Sequence, residues 1–273
     1  MSSMKQLLVW VLLGASMGLA QSPKILIVTD MEGLGGVNDR DEQLLPGQRR
    51  YEETRRILTG EVNAAVAGAW GAGAREIVIW DGHDGSRSLA VDEIREPAKL
   101  IQGKPTPANY YMGPKMYDGI IFVGQHAMAG DPKGVLAHSQ SSATIKQITL
   151  NGKPVGELGQ VAAIGGYFDI PVIMLTGDEA ACAEMLALQP TAITVAVKKL
   201  VGKQSTLSLP HAQAKRMIED AARRAVQQVK TYKPWKISGP VDLMFEYSNP
   251  AGKISHFQGA TVLEAFEAWL GKP

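Results

Sequence analysis

The 273-residue chain is 45% hydrophobic and 20% charged, ordinary values for a globular protein with enough apolar material for a core. Its 28 Lys+Arg against 27 Asp+Glu leave no excess of positive charge to attract nucleic acid. One cysteine, Cys182, excludes an internal disulfide; in the Ala-rich stretch from Asp178 to Leu188 it reads as a buried small apolar residue.

The chain opens with Lys5, an apolar run from Leu7 to Leu13, and small residues that include Gly18 and Ala20. That order describes a secretory signal peptide over residues 1–20, cleaved after Ala20. The run is short for a membrane span and no second hydrophobic segment follows. The expectation is therefore a periplasmic or secreted protein with no stable membrane association after cleavage. The cleaved chain would be formally neutral, because the segment carries one Lys and no acid.

Lys24 to Thr29 (KILIVT) is a short β-branched apolar run and predicts a buried strand. Residues 46–72 predict a long helix opened by Pro46, with Leu58, Val62, Ala65, Val66 and Ala69 at helical spacing. Glu76 to Trp80 (EIVIW) predicts a second strand, so the three segments form a parallel βαβ unit. Gly119 to Val123 predicts another buried strand. Ala143 to Leu150 alternates and then meets Asn151-Gly152, a hairpin signal. Helices follow at 157–168, 178–188, 210–230 and 261–270, and strands at 171–175, 191–198 and 241–247. The fold class is α/β: a mainly parallel, Rossmann-like sheet flanked by helices, over residues 24–185, with a smaller mixed α/β portion over 186–273.

Three predicted strands run directly into metal-capable side chains. The first reaches Asp30-Met31-Glu32-Gly33, the second Asp81-Gly82-His83-Asp84, and the third Gly124-Gln125-His126. In open parallel sheets the carboxyl ends of strands form the ligand crevice. Asp30, Glu32, His83 and His126 can therefore converge on a divalent ion such as Zn2+ or Mn2+. An excess of carboxylates over imidazoles favours a bridged pair of metals. The Gly33-Leu34-Gly35-Gly36 stretch lacks the spacing of a dinucleotide or phosphate loop and reads as a tight turn. Glu157, by position alone, is an acid favoured by a helix N-terminus. His211 reads as a helix-start residue, and His256 as part of a polar loop without a role.

The segments VTDMEGLGGV (28–37), DGHDG (81–85), FVGQHAMAG (122–130), GVLAHS (134–139) and NGKPVGELGQVAA (151–163) together resemble the zinc D-aminopeptidases of the DppA type. The resemblance covers nearly all of residues 24–270. It implies that Asp30, Glu32, His83, His126 and Glu157 hold two zinc ions, with Asp30 bridging, and that His138 is the catalytic residue. It further implies hydrolysis of short peptides with an N-terminal D-residue, such as D-Ala-D-Ala, and a ring-like homo-oligomer. The chain departs from the family pattern at Gln125, where Tyr is usual, at Gln160, where Asn is usual, and in Trp80-Asp81-Gly82-His83, where Asn-Asp-Ser-His is usual. These departures reshape the substrate pocket without removing a ligand. Competing readings are a metal-dependent amide hydrolase of another substrate and a secreted metal- or peptide-binding protein without turnover.

Overall fold

A computed structural model describes residues 22–103 and 112–271. The expected signal peptide lies outside the described residues. β1 (Lys24–Thr29) alternates between two cores: Ile25 and Ile27 face one layer, Leu26 and Val28 the other. A short helix α1 (Arg40–Gln43) follows, then α2 (Tyr51–Gly71) and β2 (Glu76–Trp80), which pairs with β1 in parallel. The helix expected from Pro46 begins instead at Tyr51. Gln48 explains the delay: its Oε1 accepts from Leu44 N at 2.7 Å and Leu45 N at 2.8 Å, which satisfies the backbone in a turn.

β3 (Lys99–Ile101) lies outside β2, and β4 (Gly119–Gln125) pairs with the other side of β1. β5 (Ile145–Leu150) and β6 (Lys153–Pro154) form the expected hairpin, with Asn151 and Gly152 both at positive φ, 50° and 77°. α3 (Glu157–Tyr167), β7 (Val172–Asp178), α4 (Glu179–Leu188), β8 (Ile193–Leu200) and β9 (Thr206–Ser208) continue the chain. α5 (His211–Gln227), β10 (Val241–Ser248), β11 (Ala251–Gly259) and α6 (Val262–Leu270) complete it.

Seven strands make one sheet in the order β3-β2-β1-β4-β7-β8-β9, parallel except for β9; β11-β10-β5-β6 make a second, antiparallel sheet. On one face of the large sheet α2 packs against α5. Ala214, Ile218, Ala221, Ala222 and Ala225 recur at helical spacing on α5 and join Leu58, Val62 and Ala65 of α2 in one core. The other core gathers Leu158 and Ala162 of α3, Cys182 and Met185 of α4, Phe266 of α6, and Leu243 and Phe245 of the small sheet.

The α/β reading holds. The expected division at residue 185 does not coincide with a sheet boundary: β8 and β9 extend the large sheet, and β5 and β6 from before it belong to the small one. His256 is not in a loop. It lies in β11 opposite Met244 of β10, with Nδ1 2.9 Å from the Asp242 carboxylate. His211 is the first residue of α5, as expected, and Cys182 is buried. Among the described residues no helix is long and apolar enough to cross a membrane.

Candidate metal centre

The strand order reverses at β1. The chain steps outward from β1 to β2 and β3, then returns to place β4 on the opposite side. Such a switch point opens a crevice beyond the carboxyl ends of β1 and β4. Asp30 and Glu32 follow β1, His83 follows β2, His126 follows β4, and Glu157 begins α3.

The approach of the β1 loop to β4 depends on Gly33. Its N–H donates to Gly124 O at 2.8 Å, and a Cβ there would fall 2.0 Å from the Gln125 carbonyl oxygen. Any side chain at Gly33 would force the loop carrying Asp30 and Glu32 away from the strand carrying His126.

The donors meet in two groups that touch where Asp30 of one reaches His126 of the other. Asp30 Oδ1 is 3.0 Å from His83 Nδ1, and Glu32 Oε2 is 3.1 Å from the same nitrogen. Asp30 Oδ2 is 3.3 Å from His126 Nε2. Glu157 Oε1 lies 3.7 Å from both His126 Nε2 and His138 Nε2. The His126 and His138 rings stack with centroids 4.1 Å apart. The structure thus brings together all six residues that the sequence singled out. Asp30, Glu32 and His83 could hold one cation, and His126, His138 and Glu157 another. His138 stands as close to Glu157 as His126 does, so its ring is within reach of that second position.

Each imidazole turns one nitrogen outward to a backbone carbonyl. His83 Nε2 meets Leu44 O at 3.0 Å, His126 Nδ1 meets Ala127 O at 2.9 Å, and His138 Nδ1 meets Leu136 O at 2.9 Å. An N–H donated outward orients the ring and leaves the inner nitrogen, which faces the carboxylates, as the one a metal would take, the usual arrangement of a metal-binding histidine. His126 Nε2 and Glu32 Oε2 are buried and have no aligned hydrogen-bond partner among the described residues. Buried atoms of this kind are expensive unless something else satisfies them, and a cation in each group would do so.

Burial opposes charge on Asp30, yet hydrogen bonds from His126 and His83 outweigh it and hold its carboxyl well below the usual range. Burial also opposes charge on His83 and His126. The neighbouring carboxylates, Glu32 and Asp30 first for His83 and Asp30 first for His126, nevertheless raise both well above the ordinary imidazole value.

Beneath the donors lies a set of buried residues that the sequence did not single out. Asp81 Oδ2 accepts from Ser88 N at 2.6 Å and Leu89 N at 2.9 Å, closing the loop that carries His83. Asp178 accepts from Val135 N at 2.8 Å and caps α4 through Ala181 N at 2.7 Å, which fixes the segment leading to His138. Glu184 accepts from Met128 N at 2.8 Å, two residues past His126. Lys198 Nζ donates to the carbonyls of Glu32 and Val37 and ties down the β1 loop. Burial pushes Glu184 up to about 7 and Lys198 down to about 8. The available signal in sequence was weak: Asp81 and Asp178 end strands, while Glu184 and Lys198 look like surface residues until the fold buries them.

Known proteins share this arrangement of chain. A D-aminopeptidase of Bacillus subtilis (strain 168) is 33% identical over 264 residues, covering 90% of this chain and 95% of that protein. The solved structure described as "Zn-dependent D-aminopeptidase DppA from Bacillus subtilis, a self-compartmentalizing protease" has 31% identity and a TM-score of 0.83, over 90% of this chain and 95% of that one. A sequence model of the D-aminopeptidase peptidases matches residues 24–266. With a match of that extent and a fold to go with it, the chain belongs to the D-aminopeptidase family.

Proposed function

We propose that this protein is an exported, zinc-dependent aminopeptidase that hydrolyses the N-terminal peptide bond of short peptides beginning with a D-residue, D-Ala-D-Ala among them. The observation that carries the reading is the meeting of three carboxylates and three imidazoles at the switch point, with Asp30 of one group 3.3 Å from His126 of the other. Oxygen and nitrogen donors in that mixture suit zinc, and the related Bacillus subtilis protein is described as zinc-dependent. Asp30, Glu32, His83, His126 and Glu157 would hold two zinc ions. When bound, such a pair supplies Lewis acidity that polarises a carbonyl and eases the ionisation of water.

The chain's own groups do the rest. His138 donates Nδ1–H to Leu136 O, so its Nε2 is free to take a proton and pass it on, beside the Glu157 carboxylate. Burial of every donor but Glu157 strengthens the electrostatic contacts made among them. The Bacillus subtilis relative is described as self-compartmentalizing, which supports a ring-like homo-oligomer that encloses its sites here as well. A periplasmic location follows from the signal-peptide reading of residues 1–20, with the mature chain beginning at Gln21.

Metal analysis of the purified protein, paired with hydrolysis assays on D- and L-peptides, tests the reading. The expected result is about two zinc ions per chain, hydrolysis of D-peptides, and joint loss of metal and activity in Asp30→Ala. Protein that holds no metal, or that cleaves none of the peptides when zinc-loaded, would overturn it. Mass spectrometry of exported protein should find Gln21 at the N-terminus; intact Met1 on cytoplasmic protein would remove the export claim.

A further inference from the structure

A cavity of about 290 Å3 opens from the donor cluster, with Asp30 and Glu157 in its polar end. Apolar side chains make up about half of its lining, alongside Thr29, Ser86, Gln125, Gln140 and Gln160. Val28 and Phe122 come from the sheet, Val161 and Ile164 from α3, and Phe266 and Trp269 from α6. The direction of the cavity can be read along α3. Glu157, Val161 and Ile164 are spaced i, i+4, i+7 and lie on one helix face, so the wall changes from carboxylate to hydrocarbon over about 10 Å.

Two polar atoms sit beside the cluster. Gln125 precedes His126, and Gln160 is one helical turn past Glu157; both are buried. Gln125 Oε1 and Gln160 Nε2 have no hydrogen-bond partner among the described residues. The other end of the Gln160 amide is engaged, because its Oε1 accepts from Gln140 Nε2 at 3.2 Å. Both side chains line the cavity, and an amide brings the acceptor and donor that the N–H and C=O of a peptide call for.

Size and lining then decide what lies beyond the peptide group. The volume is at the small end of ligand pockets, roughly 300–1,000 Å3, so it takes one amino-acid unit rather than a long chain. A methyl group would leave most of the apolar wall uncovered, and water gains little against that wall. An isobutyl or benzyl group would cover it.

We propose that this cavity is the subsite for the side chain of the substrate's N-terminal residue, and that it selects leucine- or phenylalanine-sized apolar side chains over alanine. The proposal rests on the aminopeptidase reading above. In that arrangement the α-amine lies against the donor cluster, the first peptide group meets Gln125 and Gln160, and the side chain runs along α3 toward α6.

The test uses zinc-loaded, full-length protein and two readouts. Titration calorimetry with the free amino acids should find D-phenylalanine bound at least about tenfold more tightly than D-alanine, the lower end of what extra methylenes gain in an apolar pocket. The kcat/KM for D-Leu-Gly should exceed that for D-Ala-Gly by a similar factor. Val161→Trp and Ile164→Trp fill the cavity from α3; whichever keeps its melting temperature and zinc content should bring the D-Phe to D-Ala affinity ratio close to one. Equal affinities in the wild type, or a ratio that survives in a folded, zinc-loaded variant, would overturn the subsite. If no D-peptide is cleaved while the affinity ratio is as expected, the subsite stands and the aminopeptidase reading falls.

Discussion

Replacement of Lys198 by Met tests whether the buried tier under the donors sets their position. Lys198 is 3% exposed, and its ammonium holds the carbonyls of Glu32 and Val37. Two opposing changes follow from Lys198→Met. Two buried carbonyls lose their donor, at about 1–3 kcal/mol each. Against this, the substitution removes a charge that burial disfavours. The shift from 10.5 to about 8 corresponds to about 3 kcal/mol at 1.36 kcal/mol per pKa unit. The sum runs from a gain of about 1 kcal/mol to a loss of about 3 kcal/mol, so the melting temperature falls by no more than about 10 °C for a domain of this size. Zinc affinity responds differently, because the loop between Asp30 and Val37 loses its anchor without any offsetting gain there. Loss of a partner that orients metal ligands typically lowers affinity about 10- to 100-fold. Chelator competition on the folded variant measures this directly. Zinc affinity within about threefold of wild type, with the fold intact, would refute the role assigned to Lys198 and with it the claim that the buried tier positions the site.

His138→Ala should keep its zinc content and melting temperature while kcat falls on the order of 100-fold or more, the usual scale for a general acid–base group; a fall in zinc content would make His138 a ligand instead. Glu184→Gln should flatten the pH dependence of stability. The Glu184 carboxyl is raised from 4.5 to about 7 by burial, so between those values the folded state holds a proton that the unfolded state has lost, and stability falls as pH rises across that window, by up to about 3 kcal/mol. Melting temperatures at pH 5 and pH 7.5 would show it, and an unchanged slope in the variant would refute it.

The elements that frame the site were legible in sequence because they are long or strongly patterned. β1 and β2 were readable as short β-branched runs, α2 as a helical stripe, and the β5–β6 turn as Asn-Gly. Asp30, Glu32, His83 and His126 were legible for a related reason: each directly follows a predicted strand, and parallel strands send their carboxyl ends to one side. Glu157 and His138 were not, since nothing in their spacing says that α3 starts over the switch point or that the 130s segment folds back against His126. Only the resemblance to a known family pointed to them. β3 and β9 are three residues each, too short for any period to register. β11 mixes Lys253, His256 and Gln258 with few apolar residues because it is an edge strand with exposed faces, and so it read as loop. Lys198 sits in β8, and its burial arises only when the β1 loop closes over it.

Charge balance at the site makes zinc binding a proton-releasing reaction. Asp30, Glu32 and Glu157 bring three carboxylates into a largely buried cluster, where uncompensated charge is costly. Without a cation the compensation comes from protons on His83 and His126, and this is why the carboxylates raise both imidazoles despite their burial. The nitrogens that carry those protons, His83 Nδ1 and His126 Nε2, are the ones facing Asp30. A zinc ion must take the same lone pairs, so it cannot bind until the protons leave. At neutral pH, zinc loading should therefore release about two protons per chain. Affinity should rise with pH up to the raised imidazole values and level off beyond them. The sign for stability is the same in origin: raised histidines stabilise the zinc-free fold at low pH, and that contribution is lost as pH climbs through their folded pKa values. Calorimetry of zinc binding in buffers of different ionisation enthalpy counts the protons. A binding enthalpy independent of buffer would mean that the cation sits elsewhere than between these imidazoles and Asp30. A release that persists in the double variant His83→Ala, His126→Ala would lead to the same conclusion.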